Sequence, residues 1–202
     1  MAGRFRSALH RRRTLVPPGH RHGRAVVADS APDCRGYWPA LSLLEPSIGQ
    51  ARPVFIDLET TGLAGGAGPY AFLVGCGWVE GGTFRVRQFV LARYGAERAL
   101  LEDVAGTAAE AGALVTYNGK TFDMPLLETR FLFHRMKVPF AGIPHVDILH
   151  AARRLWRERS VAELVPRSTC CLSALEESIL GHVRDHDVPG YAIPSRYFEY
   201  VR

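Results

Sequence analysis

The stretch Val54-Phe55-Ile56-Asp57-Leu58-Glu59-Thr60-Thr61-Gly62 constrains this chain more than any other. An apolar run ends in two carboxylates spaced i and i+2 and passes at once into turn residues. On a β-strand, side chains two apart share one side of the sheet. Asp57 and Glu59 therefore stand together at a strand end. Adjacent carboxylates repel at neutral pH, and burial sharpens the repulsion. A divalent cation relieves it, because carboxylate oxygens are the hard ligands that Mg²⁺ and Mn²⁺ prefer. The pattern predicts half of a metal site.

From residue 52 onward the hydrophobic pattern is regular. Residues 54–58 read as a buried strand and 62–69 as a glycine-rich turn. Strands over 70–79 and 84–91 flank Glu80-Gly81-Gly82, a turn that predicts an antiparallel hairpin. Residues 96–111 read as a helix with Leu100, Leu101, Val104 and Ala108 on one stripe. A short strand over 114–117 precedes a helix over 122–133, whose first turn must take Pro125. A strand end at 145–148 leads into a helix over 149–159. Ser173-Ala174-Leu175-Glu176 matches a capping box, opening a helix that Gly181 stops. A hairpin followed by alternating helices and strands predicts an α/β fold, a mixed sheet with helices on its faces.

Composition places limits on partners and setting. With 202 residues and 47% hydrophobic content, one domain with a proper core is expected. No apolar run is long enough to span a membrane. Cys34, Cys76, Cys170 and Cys171 form no C-x-x-C pair, so neither a zinc nor a disulfide framework is indicated, and a reducing cytoplasm fits. The formal charge is +5, and residues 1–50 account for all of it with eight Arg against three acids. That segment also carries five prolines and no sustained periodicity, and is expected to be a basic, mostly disordered arm with one local patch at 37–44. It either contacts nucleic-acid phosphates or is a solvated tail. Its acid-free first 28 residues also have the composition of an organelle transit peptide, and it lacks the apolar core of a secretion signal. The ordered domain is expected over 51–202.

The second constellation is Tyr117-Asn118-Gly119-Lys120-Thr121-Phe122-Asp123. It follows a short strand and opens a helix, which places Asp123 at a helix N-terminus, a favourable location for a carboxylate. Asp123 is the third candidate ligand. Asn118 either fixes the turn or binds a sugar or phosphate, and Phe122 is expected to pack. Gly119-Lys120-Thr121 is not the end of a phosphate-binding P-loop, which requires glycine at position 114, where this chain has Leu114.

These two blocks resemble motifs I and II of the DEDD exonuclease superfamily, on the ribonuclease H-like fold. The nearer likeness is to the bacterial YprB-type ribonuclease H-like domain family of predicted exonucleases. It extends through Gly62-Leu63-Ala64-Gly65-Gly66-Ala67-Gly68-Pro69-Tyr70-Ala71-Phe72-Leu73-Val74-Gly75 and Leu114-Val115-Thr116-Tyr117. It continues in Asp147-Ile148-Leu149-His150-Ala151-Ala152-Arg153-Arg154-Leu155-Trp156 and in Asp187-Val188-Pro189-Gly190-Tyr191-Ala192-Ile193-Pro194-Ser195. The resemblance covers about 52–202. It implies a divalent-metal-dependent nuclease, a 3′→5′ exonuclease hydrolysing phosphodiester bonds at DNA or RNA ends through two cations about 4 Å apart. Asp57 would bridge both ions, Glu59 would bind one and orient the attacking water, and Asp123 would hold the second. Thr60 and Thr61 would offer hydroxyl or N–H groups to the terminal nucleotide.

The family scheme has a fourth acid on a late helix, with a histidine or tyrosine nearby. The sequence to Arg202 shows no such closing helix. His182 and Asp187 match the spacing of a histidine-type third motif, but Pro189-Gly190 predicts a loop, and Asp187 then reads as a turn residue. The alternative function is a catalytically inactive ribonuclease H-like module that binds nucleic acid or protein. Asp147 could approach the site or cap the following helix, and capping is the simpler reading. Arg153, Arg154, Arg157 and Arg159 either track phosphates or form a solvated helix face. His134, His145 and His150 read as structural. Trp78, Trp156, Phe72, Phe84, Phe89, Phe131 and Phe133 read as core.

Overall fold

The computed structural model describes residues 7–27, 52–62, 68–156, 170–185 and 187–202. The expected patch at 37–44, the middle of the glycine-rich turn and the end of the 149–159 helix, with Arg157 and Arg159, lie outside the described residues. Six strands form one mixed sheet: β1 (Leu9–Val16), β4 (Pro53–Thr60), β5 (Ala71–Glu80), β6 (Thr83–Leu91), β7 (Ala113–Thr116) and β8 (His145–Asp147), ordered β1-β6-β5-β4-β7-β8. Two short strands, β2 (Arg21–His22) and β3 (Ala25–Val26), make a separate hairpin. The helices are α1 (Glu97–Ala108), α2 (Asp123–Phe133), α3 (Ile148–Trp156), α4 (Leu172–Leu175) and α5 (Ile193–Val201). Among the described residues no helix is long and apolar enough to cross a membrane.

β4 is the pivot. It pairs antiparallel with β5 and parallel with β7, and β8 continues the parallel half. Its side chains alternate strictly. Val54, Ile56 and Leu58 are buried against Val74, Cys76, Phe89, Leu100, Val104 and Leu127. Phe55 and Asp57 point to the opposite face. There, among the described residues, α3 covers the β7–β8 side, where Ala113, Val115 and Val146 pack with Ile148. Over β5 that face is kept low by glycines opposite Phe55 and Asp57. A Cβ on Gly77 would lie 2.6 Å from the Phe84 ring, so only glycine fits beneath it. The hairpin turn Gly81-Gly82 has φ of +56° and +73°, the left-handed values that a tight I′-type connection needs.

The first strand corrects the expectation for residues 1–50. Residues 9–16 are not a loose arm: β1 pairs with β6 along its whole length, Leu9 opposite Leu91 through Val16 opposite Phe84. The arginine run hides this strand from hydropathy, because an edge strand with an accessible side keeps its charges in water. The β2–β3 hairpin likewise packs on the chain's late segment. Arg24 N–H donates to the Leu180 carbonyl at 2.7 Å, and His22 stacks on His182 with centroids 3.8 Å apart.

The C-terminal third departs from expectation twice. Ser173 does not cap a helix. Cys171 occupies the N-cap without a side-chain bond, and the short α4 passes into a π-turn, Glu176–Leu180, that Gly181 stops at φ +64°. Residues 193–201 are a helix where none was expected, with Pro194 in its first turn. Tyr197 of α5 stacks flat on Phe72, centroids 4.0 Å apart, and Tyr200 Oη lies 2.6 Å from His10 Nε2. The helix carries no histidine, so it is not the histidine-bearing element of the family scheme.

α1 and α2 are joined through a buried ion pair. Arg130 Nε and Nη2 donate to the Glu97 carboxylate at 2.6 and 2.5 Å, with Arg130 1% and Glu97 2% exposed. His134 Nε2 sits 2.7 Å from the same carboxylate, which accounts for His134 structurally. Arg130→Met leaves the Glu97 charge buried with only the histidine. We expect a loss of about 3–5 kcal/mol in urea denaturation; a loss below about 1 kcal/mol would show that the pair is solvated and dispensable.

Candidate active site

The two carboxylates of β4 and the carboxylate that opens α2 reach the same end of the sheet by different routes. Asp57 and Glu59 sit beyond the last β7 pairing of β4, still paired with β5, and a register shift between Glu59 and Thr60 marks a bulge there. Bulges re-aim side chains at strand ends. The loop between β7 and α2 is tied down by Asp147 at the end of β8. The Asp147 carboxylate accepts the N–H of Asn118 at 2.7 Å, of Lys120 at 3.0 Å and of Leu149 at 3.1 Å. The third bond caps α3, as expected, while the other two shape the loop. Asn118 takes φ +67°, and a Cβ at Gly119 would stand 2.5 Å from the Thr116 side chain. Gly119 O then accepts the Met124 N–H and starts α2, with Asp123 its first residue.

A groove of about 770 Å³ lies at this end of the sheet. Glu59, Thr60, Asp123, Phe122 and Tyr191 are among its lining residues. Asp57 stands beside the groove on the open face rather than in its wall. It remains electrostatically joined to the others: its charge raises the pKa of both Glu59 and Asp123. Burial pushes Asp123 up to about 7, assisted by Asp57, Asp147 and Glu59. Glu59 is raised by burial, then by Asp57 and Asp187. Asp57 is raised by burial, against the opposing pull of the Leu58 N–H and Arg184. Among the described residues, three carboxylates thus share one region, and the pull of the Leu58 N–H and Arg184 on Asp57 does not offset burial and their mutual repulsion.

That donor set fits a hard divalent cation, which would relieve the repulsion with oxygen ligands alone. Among the described residues no three carboxylate, histidine or cysteine groups converge as a ready-made cation cage. Asp57, Glu59 and Asp123 are the groups that would hold Mg²⁺ or Mn²⁺ here, and the ion would supply charge neutralisation and activation of water.

Other site residues divide between groove and scaffold. Thr60 lines the groove, its hydroxyl donating to Gly62 O at 3.0 Å. Thr61 closes the base of the following loop: its N–H donates to Tyr70 O, and its Oγ1 accepts the Tyr70 N–H at 2.9 Å. Asn118 is placed in the turn by its backbone and is not in the groove wall. Asp187 lies in a loop, bonded at 3.1 Å to Arg184, which also pairs with Glu176. His145 is structural, Nε2 at 2.9 Å from Thr116 Oγ1, and burial lowers its pKa to about 4.

Several features were not legible in the sequence. Phe122, expected to pack, is 51% exposed, and Tyr191 is 86% exposed, so the groove has two open aromatic rings. Phe133 is also outside the core, 60% exposed beneath the Arg130 guanidinium. Arg184 faces Asp57 from a segment 127 residues later in the chain. No local pattern distinguishes these aromatics from core residues, because the facing surface comes from distant segments.

The RNase H superfamily family model matches residues 54–202. The uncharacterized protein YprB of Bacillus subtilis (strain 168) is 38% identical over 149 residues, covering 73% of this chain and 34% of that protein. The chain therefore spans about a third of that relative's length.

The Asp123 shift has a signed consequence. An unfolded aspartate titrates near 3.9, and the folded group near 7. Between those values the native state holds the extra proton, so this group's contribution to stability is lost as pH rises through that window. In EDTA, we expect wild type to lose more thermal stability between about pH 4 and about pH 7 than Asp123→Asn, which cannot ionise. Mg²⁺ should restore the wild type at the upper end and act less on the variant, which keeps Asp57 and Glu59 but lacks the Asp123 charge. Identical pH slopes for the two proteins in EDTA would rule out the shifted Asp123.

Proposed function

The chain belongs to the RNase H superfamily, and we propose that it is a divalent-metal-dependent nuclease domain that removes nucleotides from single-stranded nucleic acid in the 3′→5′ direction. The observation that carries this reading is the set of uncompensated carboxylates at a groove with two exposed aromatic rings. Carboxylates of that kind are a reason to bind cations. Exposed rings beside them suit unstacked bases, which stack on aromatic side chains without sequence preference. In this reading Asp57, Glu59 and Asp123 would hold Mg²⁺ or Mn²⁺, two ions in all, which would supply activation of water and stabilisation of the leaving oxygen. Phe122 and Tyr191 receive the bases. Thr60 offers its backbone or hydroxyl to the terminal nucleotide. Thr61 and Asn118 act through the loops they shape. The free thiols of Cys76, Cys170 and Cys171 favour a reducing, cytoplasmic setting.

A second reading, a nucleic-acid-binding module without catalysis, is favoured by one observation: the Asp187 carboxylate is already engaged by Arg184. End-labelled single-stranded oligonucleotides separate the two. With Mg²⁺ or Mn²⁺, wild type should release mononucleotides, and Asp57→Ala should be at least about a hundredfold slower. A circular substrate should survive, since an exonuclease needs an end. Binding without metal-dependent release above the Asp57→Ala background would leave only the binding module.

The aromatic rings give a separate expectation. Phe122→Ala and Tyr191→Ala should each weaken single-strand affinity by about 1–3 kcal/mol in metal-free binding measurements. Unchanged affinity in both variants would remove the base-stacking assignment.

A further inference from the structure

At the opposite end of β4 from the acidic groove, a second cavity of about 170 Å³ opens beside Trp78. Arg13, Arg52, Arg85 and Arg87 line it. The β4 residues between Arg52 and Glu59 put it about 20 Å from the carboxylates, so it is not an extension of the groove.

The charge here is not balanced from within. Arg52 pairs with Glu110 at 2.8 Å and Arg85 with Glu80 at 2.5 Å, which uses both acids of the lining. Arg13 and Arg87 have no acid among the described residues. They are directly opposite each other in the β1–β6 ladder and so share one face of the sheet. Like charges in that position repel and destabilise a strand pair. Trp78 deepens the imbalance. Its ring lies under two guanidinium groups, Arg87 at 4.9 Å and Arg52 at 5.3 Å. The residue is only 4% exposed, and among the described residues its indole N–H has no hydrogen-bond partner, nor has Arg52 Nε. Stacking occupies the flat faces of the guanidinium groups and leaves their in-plane N–H donors available.

Two unneutralised arginines, an unpartnered buried indole N–H and an unpartnered guanidinium N–H around a small cavity call for an anion with several acceptor oxygens. A carboxylate has two oxygens; a tetrahedral phosphate has more and suits the arginine fork. The volume suits a phosphate group and is too small to enclose a whole nucleotide. We propose that this cavity is a phosphate-binding site, taking either free phosphate or one phosphate of a nucleic-acid strand. The site does not depend on catalysis in the acidic groove.

The test is calorimetric titration of the full chain with inorganic phosphate in EDTA, which prevents cation-mediated phosphate binding at the carboxylates. Arg87→Gln removes one uncompensated guanidinium. Arg13→Glu, on an exposed strand position, reverses the other. Each should weaken phosphate binding about tenfold or more. In phosphate-free buffer Arg13→Glu should also melt higher than wild type, because a glutamate then faces Arg87. This rise sets the proposal apart from a general loss of folding. Titration of a single-stranded oligonucleotide against the phosphate-loaded protein separates the sources. Displacement, with a salt dependence that flattens in Arg13→Glu, identifies a strand phosphate. No displacement identifies free phosphate. The proposal is overturned if wild type takes up no phosphate, or if both variants bind it as wild type does.

Discussion

The alternation along β4 is the constraint on which the rest depends. Val54, Ile56 and Leu58 must be on the helix-covered face, and this forces Asp57 to the other. A slip of one residue would bury the aspartate and expose the aliphatic row, a large penalty in a central strand paired on both sides. The same strand is where the sheet changes from antiparallel to parallel. Strand direction, helix placement and the position of the first two acids are therefore one decision.

The acids of the chain fall into two groups with different physical status. Glu97 and Asp147 are nearly inaccessible, and each is fully engaged, one by Arg130 and His134, the other by three backbone N–H groups. They hold helices and loops in position. Asp57, Glu59 and Asp123 lack such partners and are pushed toward the protonated state. A protein keeps crowded like charges chiefly where function requires it. The engaged set positions the unsatisfied set: without Asp147, the loop that carries Asp123 has no fixed course. An analogous imbalance of opposite sign appears at the far end of the sheet, around Trp78.

Strands and helices with clear apolar periodicity were legible to within one to three residues at their ends: the hairpin of β5 and β6, the stripe of α1 and the Pro125-bearing start of α2 all occur. The family resemblance and the mixed α/β sheet hold as well. Features stabilised by distant partners were not. β1 lacks an apolar signature because its order comes from pairing with β6, 68 to 82 residues away. The helix 193–201 depends on Tyr197 stacking on Phe72, and the N-cap position expected for Ser173 is held by Cys171 with no side-chain cap bond.

By itself, the sequence determined which residues are acids on a strand end and which acid opens a helix, because the two-residue and helical periods are local properties of the chain. Only the tertiary structure decided which of those acids remain short of compensating charge among the described residues, that Asp147 holds the loop, and that Phe122 and Tyr191 stay exposed in a groove. Burial and charge compensation depend on what the rest of the chain brings within a few ångströms, and no local pattern carries that information.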